Sequence, residues 1–288
     1  MSKLKTSIGI IIVLLIISYL AASVFKLEKG GLGNVALINI DGVIATESSD
    51  SVFSGQIASS NGIVNEIKKA NSDEDIKAIL FEINSPGGSA VASAEIAEAI
   101  KKVNKTTVAL IREIGTSGAY WAASACDKIV AHPLSITGSI GVIGSYLEFS
   151  GLLERYNITY ERLVSGQYKD IGTPYKELTP EERQILQSTM DQIRQYFVNA
   201  VAKNRGMDVS KVNEIATGRF YLGSEAKELG LIDSLGSEDE ALQLVKQEAN
   251  ITDVKLVKYE QSKGLLSIFT GVFSKKDFGV EQGVKITT

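Results

Sequence analysis

Three short turns combine serine with glycine, and the first two follow apolar runs that are typical of buried strands. The first is SPGG, ending in Gly88; the second is GTSG, in which Ser117 precedes Gly118; the third is TGS, ending in Ser139. Free backbone N–H groups at such turns stabilise a developing oxyanion, and a serine between strand and helix is a common position for a nucleophile. Each motif alone also fits a plain turn or, at Ser117, a helix N-cap. Together they indicate acyl-transfer chemistry, with Ser139 as a rival nucleophile or a supporting hydroxyl.

The base that activates such a serine must come from few residue types. The chain has one histidine, His132, and one cysteine, Cys126, which excludes an intrachain disulfide and any Cys-based zinc or iron–sulfur site. We predict no metal and no cofactor, since no dinucleotide fingerprint follows a predicted strand and no Gly-Lys pair is present for a Walker A loop. A desolvated lysine can serve as general base near neutral pH. Lys169, in the run SGQYKDIG, is the best candidate, because most other lysines lie on polar helix faces or in tails.

Strand and helix patterns alternate along the body of the chain. Short runs of Ile, Val and Leu predict strands, and apolar residues at helical spacing follow most of them. A capping box with proline at N1 opens the longest helix. We predict strands at 35–44, 76–83, 107–111, 128–131, just before Lys169, and 254–259, a loop at 45–60, and helices at 63–70, 90–103, 119–125, 179–205, from an N-cap at Ser224, and at 241–248. Repeated units of this kind predict an α/β fold with a parallel sheet, right-handed crossovers and a helical extension.

The first thirty residues indicate on which side of a membrane the rest of the chain lies. Residues 6–25 carry no charge and are long enough to span about 30 Å of hydrocarbon as a helix. Lys3 and Lys5 precede them, so the positive-inside rule places the N-terminus in the cytoplasm and the remainder outside it. A cleaved secretory signal, with small residues at 21–23 near the cleavage site, is the alternative. We expect a retained single-pass anchor, because the apolar run is long for a signal peptide.

Five sequence blocks occur in an order that resembles the signal peptide peptidase A family of membrane-anchored serine proteases. The blocks are NSPGG, GTSGAYWAASACDKIVA, TGSIGVIG, SGQYKDIG and GRFYLGSEAKELGLIDSLG, and the resemblance covers roughly residues 35–258. It implies a ClpP/crotonase-like fold, and the length of the chain resembles that of the short members with a single repeat.

The resemblance also implies a role for each candidate residue. Ser117 would be the nucleophile and Lys169 the general base of a Ser/Lys dyad. Ser139 would orient the lysine, while the N–H groups of Gly88 and Gly118 would form the oxyanion hole. The histidine at position 132 would then be a bystander, since it follows the nucleophile too closely for the role that histidine has in related Clp proteases.

The resemblance further implies three parts and an assembly. We expect a cytoplasmic tip and transmembrane anchor over residues 1–30, a protease domain over 31–260 and a tail over 261–288. The members of the family form rings, here expected to be a homo-octamer, in which neighbouring subunits can supply the serine and the lysine. Signal peptides and unfolded segments would be the substrates, cleaved on the extracytoplasmic side. The balance of 30 basic and 34 acidic residues argues against nucleic acid as a partner.

Three other readings of the sequence remain open. A catalytically inactive binding module of the same fold would keep the turns without the chemistry. A crotonase-type acyl-CoA enzyme also uses paired oxyanion N–H groups, although its usual cytoplasmic location conflicts with the N-terminal segment. A related membrane protease that acts on a stomatin-like partner would share the Ser/Lys chemistry and differ in substrate.

Overall fold

The computed structural model describes residues 33–47 and 56–259, together with Ile12, Leu14, Leu15 and Ser18, which are helical. The strands of the two long ranges are β1 (Val35–Asp41), β2 (Val43–Ala45), β3 (Ile57–Ser59), β4 (Ala78–Ser85), β5 (Thr106–Thr116), β6 (Lys128–Ala131), β7 (Ile136–Gly138), β8 (Phe220–Leu222), β9 (Ser234–Leu235) and β10 (Leu256–Lys258). The helices are α1 (Ser60–Ser72), α2 (Ala90–Lys101), α3 (Gly118–Ser124), α4 (Ser150–Arg155), α5 (Pro180–Arg205), α6 (Val209–Ile215), α7 (Gly223–Glu228) and α8 (Glu238–Glu248).

Six parallel strands form the centre of the fold in the order β10-β1-β4-β5-β6-β9. A seventh, β7, pairs in parallel with the last residues of β5, and β8 runs antiparallel to β7. Strands β4 and β5 each contain a run of consecutive buried residues, as expected for strands that are covered on both faces. The predicted α/β fold with a parallel sheet is therefore confirmed, and it is consistent with a ClpP-like fold.

Helices cover both faces of the sheet, and each face has its own apolar core. On one face Phe81 of β4 belongs to the same buried cluster as Ile96 of α2 and Phe197 of α5. On the other face Leu110 of β5 packs in a smaller cluster with Val245 of α8. Each large side chain buried in this way contributes about 1.5–3 kcal/mol to stability. The two cores hold the strand ends, from which the candidate site is built, in fixed positions.

The apolar run 35–44 differs from its prediction as a single strand. Gly42 interrupts it with φ +83, a conformation that favours glycine, and a Cβ there would lie 1.9 Å from the carbonyl oxygen of Gln56. The chain turns at this point, and β2 pairs with β3 in a separate two-stranded sheet. Strand β3 lies inside the stretch 45–60, for which the sequence predicts a loop. Its three residues are too few to form a recognisable strand pattern.

Two further local predictions are wrong, and one is confirmed. Helix α7 begins at Gly223 with Leu222 at the N-cap position, so Ser224 lies inside the helix and is not its cap. The strand expected just before Lys169 is not formed, since residues 158–164 have no regular secondary structure. The capping box at the start of α5 is present, with the Thr179 hydroxyl accepting the N–H of the third helical residue.

Several expectations fall largely outside the described residues. Within the described part of the chain, we find no helix with both the length and the apolar character needed to cross a bilayer. Most of the segment 6–25, on which the anchor prediction rests, lies outside that part, as does the whole tail 261–288. The expected boundaries near residues 30 and 260 therefore stay predictions.

Candidate active site

Ser117 occupies the junction between β5 and α3 in a strained backbone conformation. Its φ of 53° and ψ of −124° lie outside the regions that residues with a side chain normally adopt, and such a conformation costs about 1–3 kcal/mol. The fold holds it there through two hydrogen bonds, from its N–H to the carbonyl of Gly138 at 2.8 Å and from the N–H of Trp121 to its own carbonyl at 3.0 Å. Its hydroxyl does not cap the helix and makes no hydrogen bond to any described residue. The N-cap reading of Ser117 therefore does not account for this side chain.

Two backbone N–H groups, those of Gly88 and Gly118, lie next to Ser117 without an acceptor in the described part of the chain. Opposite Gly88 the strand β2 bonds only to its neighbours: the N–H of Ile44 donates to Gly87 O at 2.9 Å, and the N–H of Ser89 donates to Ile44 O at 2.9 Å. This parallel bridge leaves the N–H of Gly88 directed away from Ile44. An added Cβ on Gly118 would be 3.4 Å from Gly88 N, so the two amides are neighbours.

Ser139 reaches the same place from the neighbouring strand. Strand β7 pairs with β5 so that Thr116 lies opposite Gly138. Ser117 and Ser139 are the residues that follow this pair, so they leave the two strands side by side. Ser139 also has a positive φ of 52°, and its N–H donates to Arg219 O at 2.9 Å. Its hydroxyl donates to the carbonyl of Gly218 at 3.2 Å.

All four of these residues line one cavity of about 780 Å³. Its remaining wall is mainly apolar, and the rings of Trp121 and Phe197 in that wall stack with centroids 4.6 Å apart. Arg194 is a charged residue of the lining, and its guanidinium donates to the carbonyl of Ala216 and to the Asn213 side chain at 2.7–3.0 Å. The other lining residues come from the start of α2, from α5, from the segment after β7 and from the turn before β8: Ser89, Ala90, Met190, Ile193, Gly141, Val142, Ile143, Ala216, Thr217 and Gly218. Such a cavity can bind an apolar side chain beside a hydroxyl and a pair of amide donors.

Lys169 is not among the residues that line this cavity. It lies in the long stretch between β7 and α5, its side chain is exposed, and it forms neither an ion pair nor a side-chain hydrogen bond with the described residues. The structure therefore brings together Ser117, Ser139 and the two glycine amides within one subunit, but not the lysine.

His132 is also separate from Ser117. It is exposed and lines a second cavity at the opposite face of the sheet, together with Glu82 and Arg112. Its Nδ1 accepts the N–H of Leu134 at 3.2 Å, which is a local turn contact. This placement agrees with the expectation that the histidine is a bystander.

The sequence did not identify the cavity wall supplied by α5. The residues Met190, Ile193 and Arg194 sit on a helix whose apolar spacing indicates only that it packs on the core. Because helix packing and cavity lining use the same residue types, no sequence signal separates them. Thr217 and Gly218 could have been predicted as site residues from the sequence, because Gly218 begins the block GRFYLG and Thr217 directly precedes it.

A model of the peptidase family S49 matches residues 99–252, just over half of the chain, and a model of Clp protease matches residues 46–133. An Enterococcus faecium protein, provisionally named signal peptide peptidase SppA, is 35% identical over 91% of this chain and 76% of its own length. Protease MJ0651 of Methanocaldococcus jannaschii, also a provisional name, is 33% identical over 82% of this chain and 76% of its own length. The chloroplastic serine protease SPPA of Arabidopsis thaliana is 31% identical over 89% of this chain and 39% of its own length.

Proposed function

The chain belongs to peptidase family S49 and is a serine protease, and we propose that it is an endopeptidase with a dyad of Ser117 and Lys169. The observation that carries the proposal is the strained Ser117, whose unengaged hydroxyl lies in one cavity with the N–H groups of Gly88 and Gly118. A strained backbone is retained where the surrounding structure enforces it, and such residues cluster at active sites. Ser89 also stands at a helix N-terminus beside these amides, but its hydroxyl caps α2 by accepting the N–H of Ala92, whereas the hydroxyl of Ser117 caps nothing.

The first chemical step is proton removal by Lys169. In its neutral form the amine of Lys169 takes the proton of the Ser117 hydroxyl, and Oγ attacks the carbonyl carbon of the scissile peptide. Ser139 holds the amine in place through its hydroxyl. The rate should rise toward alkaline pH, because only the uncharged amine accepts a proton.

The second step uses the two glycine amides. The N–H groups of Gly88 and Gly118 donate to the oxyanion of the tetrahedral intermediate, and one donor of this kind is worth about 3 kcal/mol of transition-state stabilisation. The C–N bond then breaks, the leaving amine receives the proton held by Lys169, and an acyl-enzyme remains on Ser117. Water, deprotonated by Lys169, attacks this ester; the bond from the acyl carbon to Oγ breaks, Oγ takes the proton back from Lys169, and the carboxylic acid is released.

We further propose that Lys169 reaches the cavity of a neighbouring subunit in a ring, with eight subunits as the expected number. Two observations support this: Lys169 lies outside its own cavity lining, and the stretch that carries it exposes large apolar side chains. Ile143 is 86% exposed, Leu147 73% and Leu163 88%, and contact with a neighbouring subunit would bury these side chains.

The proposed substrates are peptides with apolar side chains, such as signal peptides and unfolded or membrane-released segments. The apolar wall formed by Trp121, Phe197 and Met190 supports this choice, and so does the name of the Enterococcus faecium relative. We also propose that residues 6–25 anchor the chain in the cell membrane with the protease outside the cytoplasm, on the basis of their uncharged composition and the preceding lysines.

Casein hydrolysis by the full chain in detergent tests the proposal. Ser117→Ala and Lys169→Ala should abolish cleavage, Ser139→Ala should weaken it through a misplaced lysine, and His132→Ala should leave it unchanged. An active Ser117→Ala together with an inactive Ser139→Ala would mean that the nucleophile is the other serine. If the folded, oligomeric wild type cleaves nothing, the chain is an inactive binding module. Profiling of the cleaved peptides separates a general peptidase from one that acts on a stomatin-like partner.

A further inference from the structure

Lys169 lies in a stretch without regular secondary structure, yet the chain is fastened on both sides of it. Arg162 donates through Nε to one carboxylate oxygen of Asp170 at 2.5 Å and through Nη2 to the other at 2.8 Å. The same Nη2 donates to the carbonyl of Gln167 at 3.1 Å. One guanidinium therefore bridges residues 167 and 170, and Lys169 lies between them. Bidentate contacts of this kind fix geometry more strongly than a single ion pair.

Lys176 connects this pair to the start of α5. Its Nζ lies 2.5 Å from Glu182 Oε1 and 3.9 Å from Asp170 Oδ1. Glu182 in turn accepts the N–H of Thr179 at 3.0 Å as part of the capping box. Four alternating charges, from Arg162 through Asp170 and Lys176 to Glu182, thus join the turn that carries Lys169 to a helix that packs on the core.

The two carboxylates of this charge network are well shielded from solvent. The side chains of Asp170 and Glu182 are 10% and 5% exposed, so salt screens their contacts less than it screens pairs at the open surface. The hydrogen bond from Arg162 lowers the pKa of Asp170, and the hydrogen bond from Lys176 lowers the pKa of Glu182. Both carboxylates consequently stay ionised at the neutral to alkaline pH at which a lysine base works.

We propose that this charge network positions Lys169 for proton transfer, with Asp170 as its central residue. The inference rests on the proposed role of Lys169 as general base. A misplacement of about 1 Å between reacting groups can cost about 10²-fold in rate, and an unfastened turn would not hold a lysine to that tolerance. Asp170 is a positioning residue: it does not line the cavity of Ser117 and acts through the backbone that it fixes.

The test compares kcat and KM of full-length variants with a peptide substrate. Asp170→Asn should lower kcat by about 10- to 100-fold, with KM almost unchanged because the cavity of Ser117 is built from other residues. Arg162→Gln should have the same effect, and the double variant should be no worse than the poorer single one, since both remove the same pair. Arg162→Lys keeps the charge but loses the bidentate fork, so it should recover only part of the rate.

A matched control is available in the Lys128–Glu248 pair, which has an N–O distance of 3.4 Å and lies far along the chain from Lys169. Glu248→Gln should leave kcat unchanged. An active Lys169→Ala would overturn the proposed function itself. An inactive Lys169→Ala with a wild-type kcat for Asp170→Asn would overturn only the positioning role. Additive losses in the double variant, or a loss of activity that coincides with dissociation of the oligomer, would also contradict it.

Discussion

A dyad shared between subunits has a demanding consequence: two inactive variants should restore activity to each other. Ser117→Ala keeps a functional Lys169, and Lys169→Ala keeps a functional Ser117. In a mixed ring some contacts join the intact serine of one subunit to the intact lysine of its neighbour. A dyad formed within one subunit has no such contact, because every subunit of either variant lacks one of the two groups.

The expected recovery follows from the symmetry of a ring. Each contact in a head-to-tail ring pairs the cavity of one subunit with the lysine turn of the next. Equal, random mixing makes each member of the pair intact with a chance of one half, so about one quarter of the contacts are wild type. The proposal of a shared dyad is based on the absence of Lys169 from the cavity lining of its own subunit. Glu182, to which the turn with Lys169 is fastened, and Met190 on the cavity wall are about 12 Å apart along α5.

The assay is casein hydrolysis by rings that contain both variants. Co-expression of the two full-length chains with different affinity tags, followed by two successive purifications, selects these mixed rings. We expect about 25% of the wild-type rate per subunit, against background rates for rings of either variant alone. Mixed rings that hydrolyse casein no faster than the single variants would refute a shared dyad. The wild-type chain carrying both tags in the same way is the control for the purification.

Three further predictions concern single positions. Gly88→Ala should lower kcat for a peptide substrate by about 10²–10³-fold, because the added Cβ would lie 2.0 Å from Ile44 O and would displace an oxyanion donor. The control Gly151→Ala, whose Cβ would meet nothing within 4 Å, should keep the wild-type kcat. Burial raises the pKa of Tyr120 above its ordinary value of 10.0, so the tyrosine ionises in the unfolded chain at a lower pH than in the folded one. Its contribution to the free energy of unfolding is therefore complete below about pH 10 and should fall above it by about 1.4 kcal/mol per pH unit. Urea unfolding between about pH 10 and pH 12 should show this slope in the wild type and a smaller one in Tyr120→Phe. Thr179→Ala removes the hydroxyl of the capping box and should cost about 1 kcal/mol in urea unfolding at pH 7, whereas Thr179→Ser should cost less.

The sheet could be predicted from the sequence because its strands are covered on both sides. The runs 76–83 and 107–111 consist almost entirely of apolar residues, which is typical of strands that are buried on both faces of a parallel sheet. The start of α5 could also be predicted, since a capping box with proline is a local signal that needs no tertiary partner. The same reasoning failed at α7, where the serine that resembles a cap lies one residue inside the helix.

The parts of the site that depend on local backbone conformation could be predicted from the sequence, and the parts that depend on tertiary packing could not. The serine turns stand out because their glycines supply positive φ angles that the turns need, at Gly87 and at Gly138. The wall that Arg194 and Ile193 supply could not be predicted, because a helix face that lines a cavity has the composition of one that packs on a core. The surroundings of Lys169 were also misjudged. The apolar residues before it suggested a buried strand, but Leu163 is 88% exposed in the single subunit.

The two serines of the cavity have matching positions on neighbouring strands but different surroundings, which supports the different roles proposed for them. Thr116 and Gly138 pair across β5 and β7, so the chain leaves both strands at the same level and enters a positive φ at Ser117 and at Ser139. Beyond this point the surroundings diverge. Helix α3 follows Ser117 at once, and its N-terminal dipole favours a developing negative charge on that hydroxyl. No helix begins within ten residues of Ser139 in this described stretch, and its hydroxyl already donates to a carbonyl. A hydroxyl that donates one hydrogen bond can still accept another from an ammonium or an amine. This arrangement suits a residue that orients Lys169, and it makes Ser139 the less favourable nucleophile.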